Sequence, residues 1–128
     1  FTPDLVAAGI EYAGLVYGTA IRLAATRMTD EQRKHALALL DELAADESVA
    51  STLKVMTALY TLALAASGNE VLQRRSDVAY MIARIAHTLP ADRLLLAVQR
   101  ERENLREALA SRDADAAESA VRRIHGIA

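Results

Sequence analysis

Apolar residues recur along most of this chain at the three- and four-residue spacing of a helix that buries one face. The first such face carries Val6, Ile10, Ala13, Tyr17, Ala20 and Ala24. The spacing predicts six helices, over Pro3 to about Arg27, Thr29 to about Asp46, Ser48 to Ala66, Glu70 to His87, Ala91 to Ser111, and Asp113 to about His125. No segment of useful length alternates with the two-residue period of a strand, so we predict an all-α protein.

Start and stop signals support these boundaries. Thr2 and the proline after it are typical of a helix N-terminus, and Thr29 with Gln32 three residues later fits a capping box. Gly68 suits the left-handed position after a helix, and Asn69 can cap the next helix. The connections between helices are short, so we predict an antiparallel bundle of about six helices.

Length and composition narrow the class of protein. The chain has 128 residues, of which 52% are apolar, so we expect residues 1–128 to form a single domain with a real core. We find no basic region followed by an apolar run at the N-terminus, and we expect no signal peptide and no membrane-spanning segment. The chain begins at Phe1, which favours a processed product or an excised domain.

Charge and motifs argue against several functions. The net charge of −2 is unusual for a domain that binds nucleic acid by itself, and the absence of cysteine excludes disulfides and thiolate metal sites. No phosphate loop, nucleophile elbow or HExxH motif occurs, so we predict that the chain is not an enzyme. None of His35, His87 and His125 pairs with another histidine or a carboxylate in a way that suggests a metal-binding helix. We therefore expect no metal cofactor.

Three polar residues fall on stripes that should be buried: Tyr17, Tyr60 and Arg102. Arg102 lies between Val98 and Leu105 in the fifth helix, where an unpaired charge would be costly. Its guanidinium could bind the carboxylate of a ligand in a fork, or it could form an internal ion pair or extend its charge to solvent. The two tyrosines could contact a ligand or could be core residues whose hydroxyls find a partner.

Three segments together resemble the FCD domain, the C-terminal effector-binding and dimerisation domain of one branch of the GntR-type bacterial transcription regulators. Residues 63–69, ALAASGN, are similar to the family's FHxxLAxASGN segment, and residues 110–117, ASRDADAA, are similar to its AIRAGDAEAA turn. Residues 22–25 and 29–31 resemble its ARLAAxRATDEE stretch. The segments occur in the family's order over nearly the whole chain, and the helix count agrees.

The resemblance also bears on the ligand. Many members hold a divalent metal with one Asp and three His, but those positions fall here on Met56, Tyr60, Arg102 and Ile124. The metal site of the family therefore looks lost, while the cavity stays plausible. We expect Arg102 to bind a small organic acid or a more hydrophobic carboxylate directly. Tyr60, Met56, Ile124 and Tyr17 would form the other ligand contacts.

The function implied by the resemblance is that of a ligand-sensing and dimerisation domain in a bacterial, cytoplasmic transcription regulator. We expect a homodimer, with DNA bound only through a winged-helix domain upstream of this chain. Effector binding would change the placement of the DNA-binding domains. A helical dimerisation module that binds no ligand is the alternative.

Overall fold

The computed structural model of the protein describes residues 2–75, 77 and 91–127. The described residues contain helices and no strand, so the predicted all-α fold is confirmed. Six helices are named along them: α1 (Pro3–Arg27), α2 (Asp30–Ala45), α3 (Val49–Ala66), α4 (Glu70–Gln73), α5 (Ala91–Ser111) and α6 (Ala114–Ile124).

The helices begin at the capping residues that the sequence predicted. The Thr2 side chain accepts a hydrogen bond from the Leu5 amide, and Thr29 and Gln32 form a reciprocal capping box at α2. Asn69 caps α4. Gly68 has a φ of +66°, as expected for the left-handed position after a helix.

The fourth helix differs from the prediction. We predicted one helix from Glu70 to His87, but α4 ends at Gln73 and Arg74 lies in a turn. Helical geometry is described again only at Asp77. The predicted apolar anchors Val78, Ile82 and Ile85, and the predicted break at Pro90, lie outside the described residues.

Side-chain contacts fix the directions of the helices. Near opposite ends of α1, Arg22 pairs with Asp115 and the Ile10 carbonyl meets His125, so α1 and α6 are antiparallel. Arg106 binds Asp41 with two hydrogen bonds of 2.7 and 3.2 Å, and Arg33 donates to the Ala110 carbonyl, so α2 and α5 are also antiparallel. The helices pack around one apolar core.

Arginine side chains hold the C-terminal ends of α1, α3 and α5. Arg112 donates to the Met28 carbonyl (2.7 Å), Arg27 to the Ser67 carbonyl (2.6 Å) and Arg33 to the Ala110 carbonyl (2.8 Å). A cation near a helix C-terminus is favourable because the free carbonyls there carry partial negative charge. The bonds of Arg112 and Arg33 tie the region between α1 and α2 to the region between α5 and α6, and the bond of Arg27 ties the end of α1 to the end of α3.

Helix α3 is the most apolar element. Its 18 residues from Val49 to Ala66 are long and apolar enough to cross a membrane by length and composition, contrary to our expectation that no segment would be. Burial accounts for this composition, because α3 packs against α1 and α2. Its buried residues are Thr52, Val55, Met56, Leu59, Tyr60, Ala63, Leu64 and Ala66.

Candidate functional site

Two tyrosines and one histidine meet inside the bundle. The rings of Tyr17 on α1 and Tyr60 on α3 stack with centroids 4.1 Å apart and an interplanar angle of 19°. The Tyr60 hydroxyl lies 3.0 Å from Nε2 of His125, the residue that ends α6. All three side chains are buried. This Tyr17–Tyr60–His125 set, which we call the aromatic cluster, therefore joins three helices in the core through one ring stack and one hydrogen bond.

The hydrogen bonds define the state of the His125 ring. Its Nδ1 lies 3.1 Å from the Ile10 carbonyl oxygen, which can only accept a hydrogen bond. Nδ1 must therefore carry the proton. In the neutral ring Nε2 is then an acceptor, so the Tyr60 hydroxyl donates its only proton to it. Tyr60 and Ile10 are thus linked through one imidazole.

Burial governs the acid–base properties of the cluster. It lowers the pKa of His125, partly offset by the hydrogen bond to Ile10, so the neutral ring is favoured. It raises the pKa of Tyr17 to about 12, with a further contribution from the carboxylate of Asp77. The pKa of Tyr60 is also raised, chiefly by burial and then by Tyr17. Both phenols therefore stay protonated near neutral pH and act as neutral hydrogen-bonding groups.

A glycine on α1 makes room for His125. A Cβ atom at Gly14 would lie 2.6 Å from Cβ of His125 and 2.7 Å from Cδ1 of Ile127. Any larger residue would thus displace the end of α6. Gly18, one turn further, leaves more space, because a Cβ there would meet Cγ of Arg122 at 3.4 Å. The absence of a side chain at Gly14 is what brings the imidazole against the α1 backbone.

Met56 and Ile124, two of the predicted ligand contacts, lie in the same core. Met56 is 8% exposed and Ile124 is 6% exposed, and both belong to the apolar cluster that contains Tyr17 and Tyr60. Among the described residues there is no group of three or more metal-ligating side chains. Four of the five predicted contact residues therefore lie in the buried core, and two of them, Tyr17 and Tyr60, are in contact.

Arg102 lies elsewhere than predicted. We expected it in the middle of the buried seam of α5, but its side chain is 24% exposed and pairs with Glu47 at 3.7 Å. The charged residue that faces inward is its neighbour Glu101, which is 8% exposed. Each residue turns a helix by about 100°, so a one-residue error in the assigned face exchanges these two side chains.

Glu101 is held by a specific ion pair. Nε of Arg123 lies 2.7 and 3.0 Å from its two carboxylate oxygens, and the Asn104 amide donates to it at 3.2 Å. A buried carboxylate without such partners would be strongly destabilising. The pair also fixes α6 beside α5 at the level of Arg102 and Ile124.

Sequence reasoning missed Glu101 and the role of His125. The signal for His125 was available: histidines near helix ends commonly meet free carbonyls, and a glycine stands on the facing side of α1. Its actual acceptor, Ile10, is 115 positions away and depends on the packing of α6 against α1. His35, the other described histidine, is exposed and borders an open depression of about 490 Å³ with Thr29, Glu31 and Gln32.

The described residues thus form an all-α bundle with a Tyr–Tyr–His cluster in its core. The family model of the FCD domain matches residues 11–125, and the chain belongs to that family. FCD domains are the C-terminal effector-binding domains of GntR-type regulators, so this is an effector-binding and dimerisation domain and not an enzyme. A comparison with curated proteins gives no match.

Proposed function

We propose that this FCD domain senses a small organic acid or a hydrophobic carboxylate, bound between Arg102 and the aromatic cluster. Arg102 would hold the carboxylate, and Met56, Ile124, Tyr60 and Tyr17 would contact the remainder. The observation that carries the proposal is the state of Arg102: a half-buried guanidinium with a distant, largely exposed partner in Glu47.

A ligand carboxylate could readily replace Glu47 as the ion-pair partner of Arg102. Its 3.7 Å separation from Glu47 is long for a charge-assisted hydrogen bond, and the Glu47 side chain is 59% exposed. Such pairs contribute at most about 1 kcal/mol to stability. A ligand carboxylate that binds the guanidinium in a fork can replace Glu47 at low cost.

Three contacts support a site near the C-terminal end of α6. The Arg123–Glu101 pair aligns Ile124 with the turn of α5 that carries Arg102. Glu47, which Arg102 contacts, directly precedes α3, the helix of Met56 and Tyr60. Tyr60 in turn contacts the end of α6 through His125. A ligand there would meet one cation, two phenols and an apolar wall.

Calorimetric titration with short and aromatic carboxylates tests this assignment. We expect Arg102→Gln to weaken acid binding by roughly tenfold or more, since a charge-assisted hydrogen bond is worth about 1.5–3 kcal/mol. Arg106→Gln is the matched control, because Arg106 lies one turn further on α5 and pairs with Asp41. Zinc should leave the affinity unchanged. Equal affinities of the two variants would refute the role of Arg102.

We further propose that the chain forms a homodimer through the outward face of α1. That face carries a stripe of exposed residues at helical spacing: Leu5, Ala8, Tyr12, Leu15 and Thr19. In this scheme a winged-helix domain upstream binds DNA in the cytoplasm of a bacterium. The effector would bind one arrangement of the dimer more tightly and so alter the spacing of the DNA-binding domains.

A domain that dimerises without an effector is the second candidate. It is favoured by the pairing of Arg102 with Glu47 and by the aromatic cluster, in which Tyr60 already has a hydrogen-bond partner in His125. In that case no acid in the titration would bind, and Arg102→Gln and Arg106→Gln would differ from the wild type only in stability.

A further inference from the structure

We propose that His125 is a positioning residue that couples the Tyr60 hydroxyl to the backbone of α1 through a change of imidazole tautomer. When a ligand accepts a hydrogen bond from the Tyr60 hydroxyl, the proton of the His125 imidazole moves from Nδ1 to Nε2. The hydrogen bond from His125 to the Ile10 carbonyl is then lost. This inference rests on the proposed function, since it assigns Tyr60 a ligand.

The two ends of one ring make this coupling possible. Nε2 receives the Tyr60 proton at 3.0 Å, and Nδ1 donates to Ile10 at 3.1 Å. His125 is only 9% exposed, so both ring nitrogens take their lasting hydrogen-bond partners from the protein. A change at one nitrogen therefore alters the hydrogen bond at the other.

A hydroxyl has one proton to donate. If the Tyr60 hydroxyl donates this proton to a hydrogen bond with a ligand carboxylate, its oxygen presents only lone pairs to Nε2. The Tyr60 oxygen and Nε2 are then two acceptors that face each other. The favourable arrangement then has the proton on Nε2, which donates to the Tyr60 oxygen. Nδ1 loses its proton to water while Nε2 gains one from water, so the ring stays neutral. Nδ1 and the Ile10 carbonyl are then both acceptors, and their contact breaks.

The effect would reach α1 at its closest contact with α6. In the helix the Ile10 carbonyl also accepts from the Gly14 amide, and Gly14 is where the imidazole and Ile127 pack against the backbone. Tyr12 and Leu15, two residues of the exposed stripe, flank this position. A ligand in the core could thus shift the helix segment that we assign to the dimer interface.

The ligand-free chain supplies the first test. Ring ¹⁵N chemical shifts of His125 should report a proton on Nδ1, and a proton on Nε2 would overturn the proposal. Tyr60→Phe leaves Nε2 without a donor and that end of the ring without an anchor, so the Nδ1 proton of His125, which bonds to Ile10, should exchange with solvent several-fold faster than in the wild type. Tyr17→Phe removes a hydroxyl that does not bind His125 and is the matched control. Equal exchange in the two variants overturns the coupling.

Addition of benzoate to the wild-type chain supplies the second test. The expected result is a shift of the His125 proton to Nε2, together with changed amide resonances from Ile10 to Gly14. In His125→Phe, benzoate should still bind while those α1 resonances stay unchanged. Binding that leaves the His125 tautomer unaltered overturns the coupling and leaves the proposed function standing. If benzoate and the other carboxylates fail to bind, the proposed function is refuted. The measurements on the ligand-free chain then decide whether Tyr60 and Ile10 are coupled through His125.

If Tyr60→Phe does not fold, the ring nitrogen shifts of the ligand-free wild type still decide, because the coupling requires Nδ1 to carry the proton. If Tyr60→Phe folds but shows the same solvent exchange as Tyr17→Phe, the coupling is refuted, whatever the overall stability of the variant.

Discussion

At the scale of single residues, the most informative side chain is His125. A free imidazole changes charge near neutral pH, but here burial between α1, α3 and α6 lowers its pKa and favours the neutral ring. Neutrality gives its two nitrogens opposite roles, one donor and one acceptor. A charged ring would donate at both and could not accept the Tyr60 proton.

The lowered pKa of His125 predicts how stability depends on pH. The unfolded chain binds a proton near the ordinary histidine pKa of about 6.5, whereas the folded chain resists protonation. Its contribution is therefore complete above that pH and is lost as the pH falls below it, by up to about 1.4 kcal/mol per pH unit. Urea unfolding of the wild type from pH 8 to pH 5.5 measures this slope.

Two variants distinguish the contribution of His125 to this pH dependence from the contributions of other titratable groups. His125→Gln should be less stable at pH 8 and show a flatter profile below pH 6.5. His35→Gln, which removes an exposed imidazole, should retain the wild-type slope. An unchanged slope in His125→Gln would mean that another group causes the dependence.

At the scale of helices, close approach depends on which positions lack a side chain. Helix α1 contacts α6 at Gly14 and Gly18, but the spaces around the two glycines differ. At Gly14 the neighbouring atom is Cβ of His125, which cannot move without the end of α6. At Gly18 the neighbours are Cγ atoms of Arg122 and Glu118, at ordinary contact distance or slightly less.

This difference predicts opposite effects of the same substitution. Gly14→Ala should destabilise the domain by about 1–3 kcal/mol, because the methyl group overpacks the α1–α6 contact. Gly18→Ala should be neutral or stabilising by up to about 1 kcal/mol, because alanine favours a helix over glycine. Thermal and urea unfolding measure both changes. Equal destabilisation by the two substitutions would show that the contact at His125 can adjust to a methyl group as easily as the contact at Arg122.

At the scale of the whole molecule, the bundle has one firmly tied end and one end that carries the candidate site. The arginine bonds to carbonyls at Met28, Ser67 and Ala110 fasten the connections at the first end. The aromatic cluster and the Arg123–Glu101 pair lie toward the C-terminal end of α6. This arrangement would place the proposed ligand contacts near the N-terminal half of α1, which carries the exposed stripe.

The proposed homodimer gives the prediction at this scale. Leu15→Glu places a carboxylate in the stripe of α1, where Leu15 is 43% exposed, and should convert the dimer to a monomer with little loss of monomer stability. Sedimentation velocity of the wild type and the variant measures the change. Val71→Glu is the control, since Val71 is 68% exposed on α4, away from this stripe. A monomeric wild type, or a dimer that tolerates Leu15→Glu, would contradict the proposed interface.

The helical class, most helix boundaries and the family could all be predicted from the amino-acid sequence. These follow from local signals: the capping box at Thr29 and Gln32, the left-handed Gly68 and the apolar spacing depend on residues within a few positions of one another. Most of the predicted core was correct for the same reason, including Tyr17, Met56 and Tyr60.

Which charge is buried, and how the residues of the candidate site are connected, depend on how the helices pack against one another. The spacing of apolar residues on α5 allows either Glu101 or Arg102 to face the core. Arg123 on α6 binds Glu101, and this ion pair favours Glu101 as the inward-facing residue. The contacts of His125 join residues 65 and 115 positions apart. Helical spacing specifies a face to within about one residue, whereas hydrogen bonds between helices depend on their mutual rotation and depth of packing.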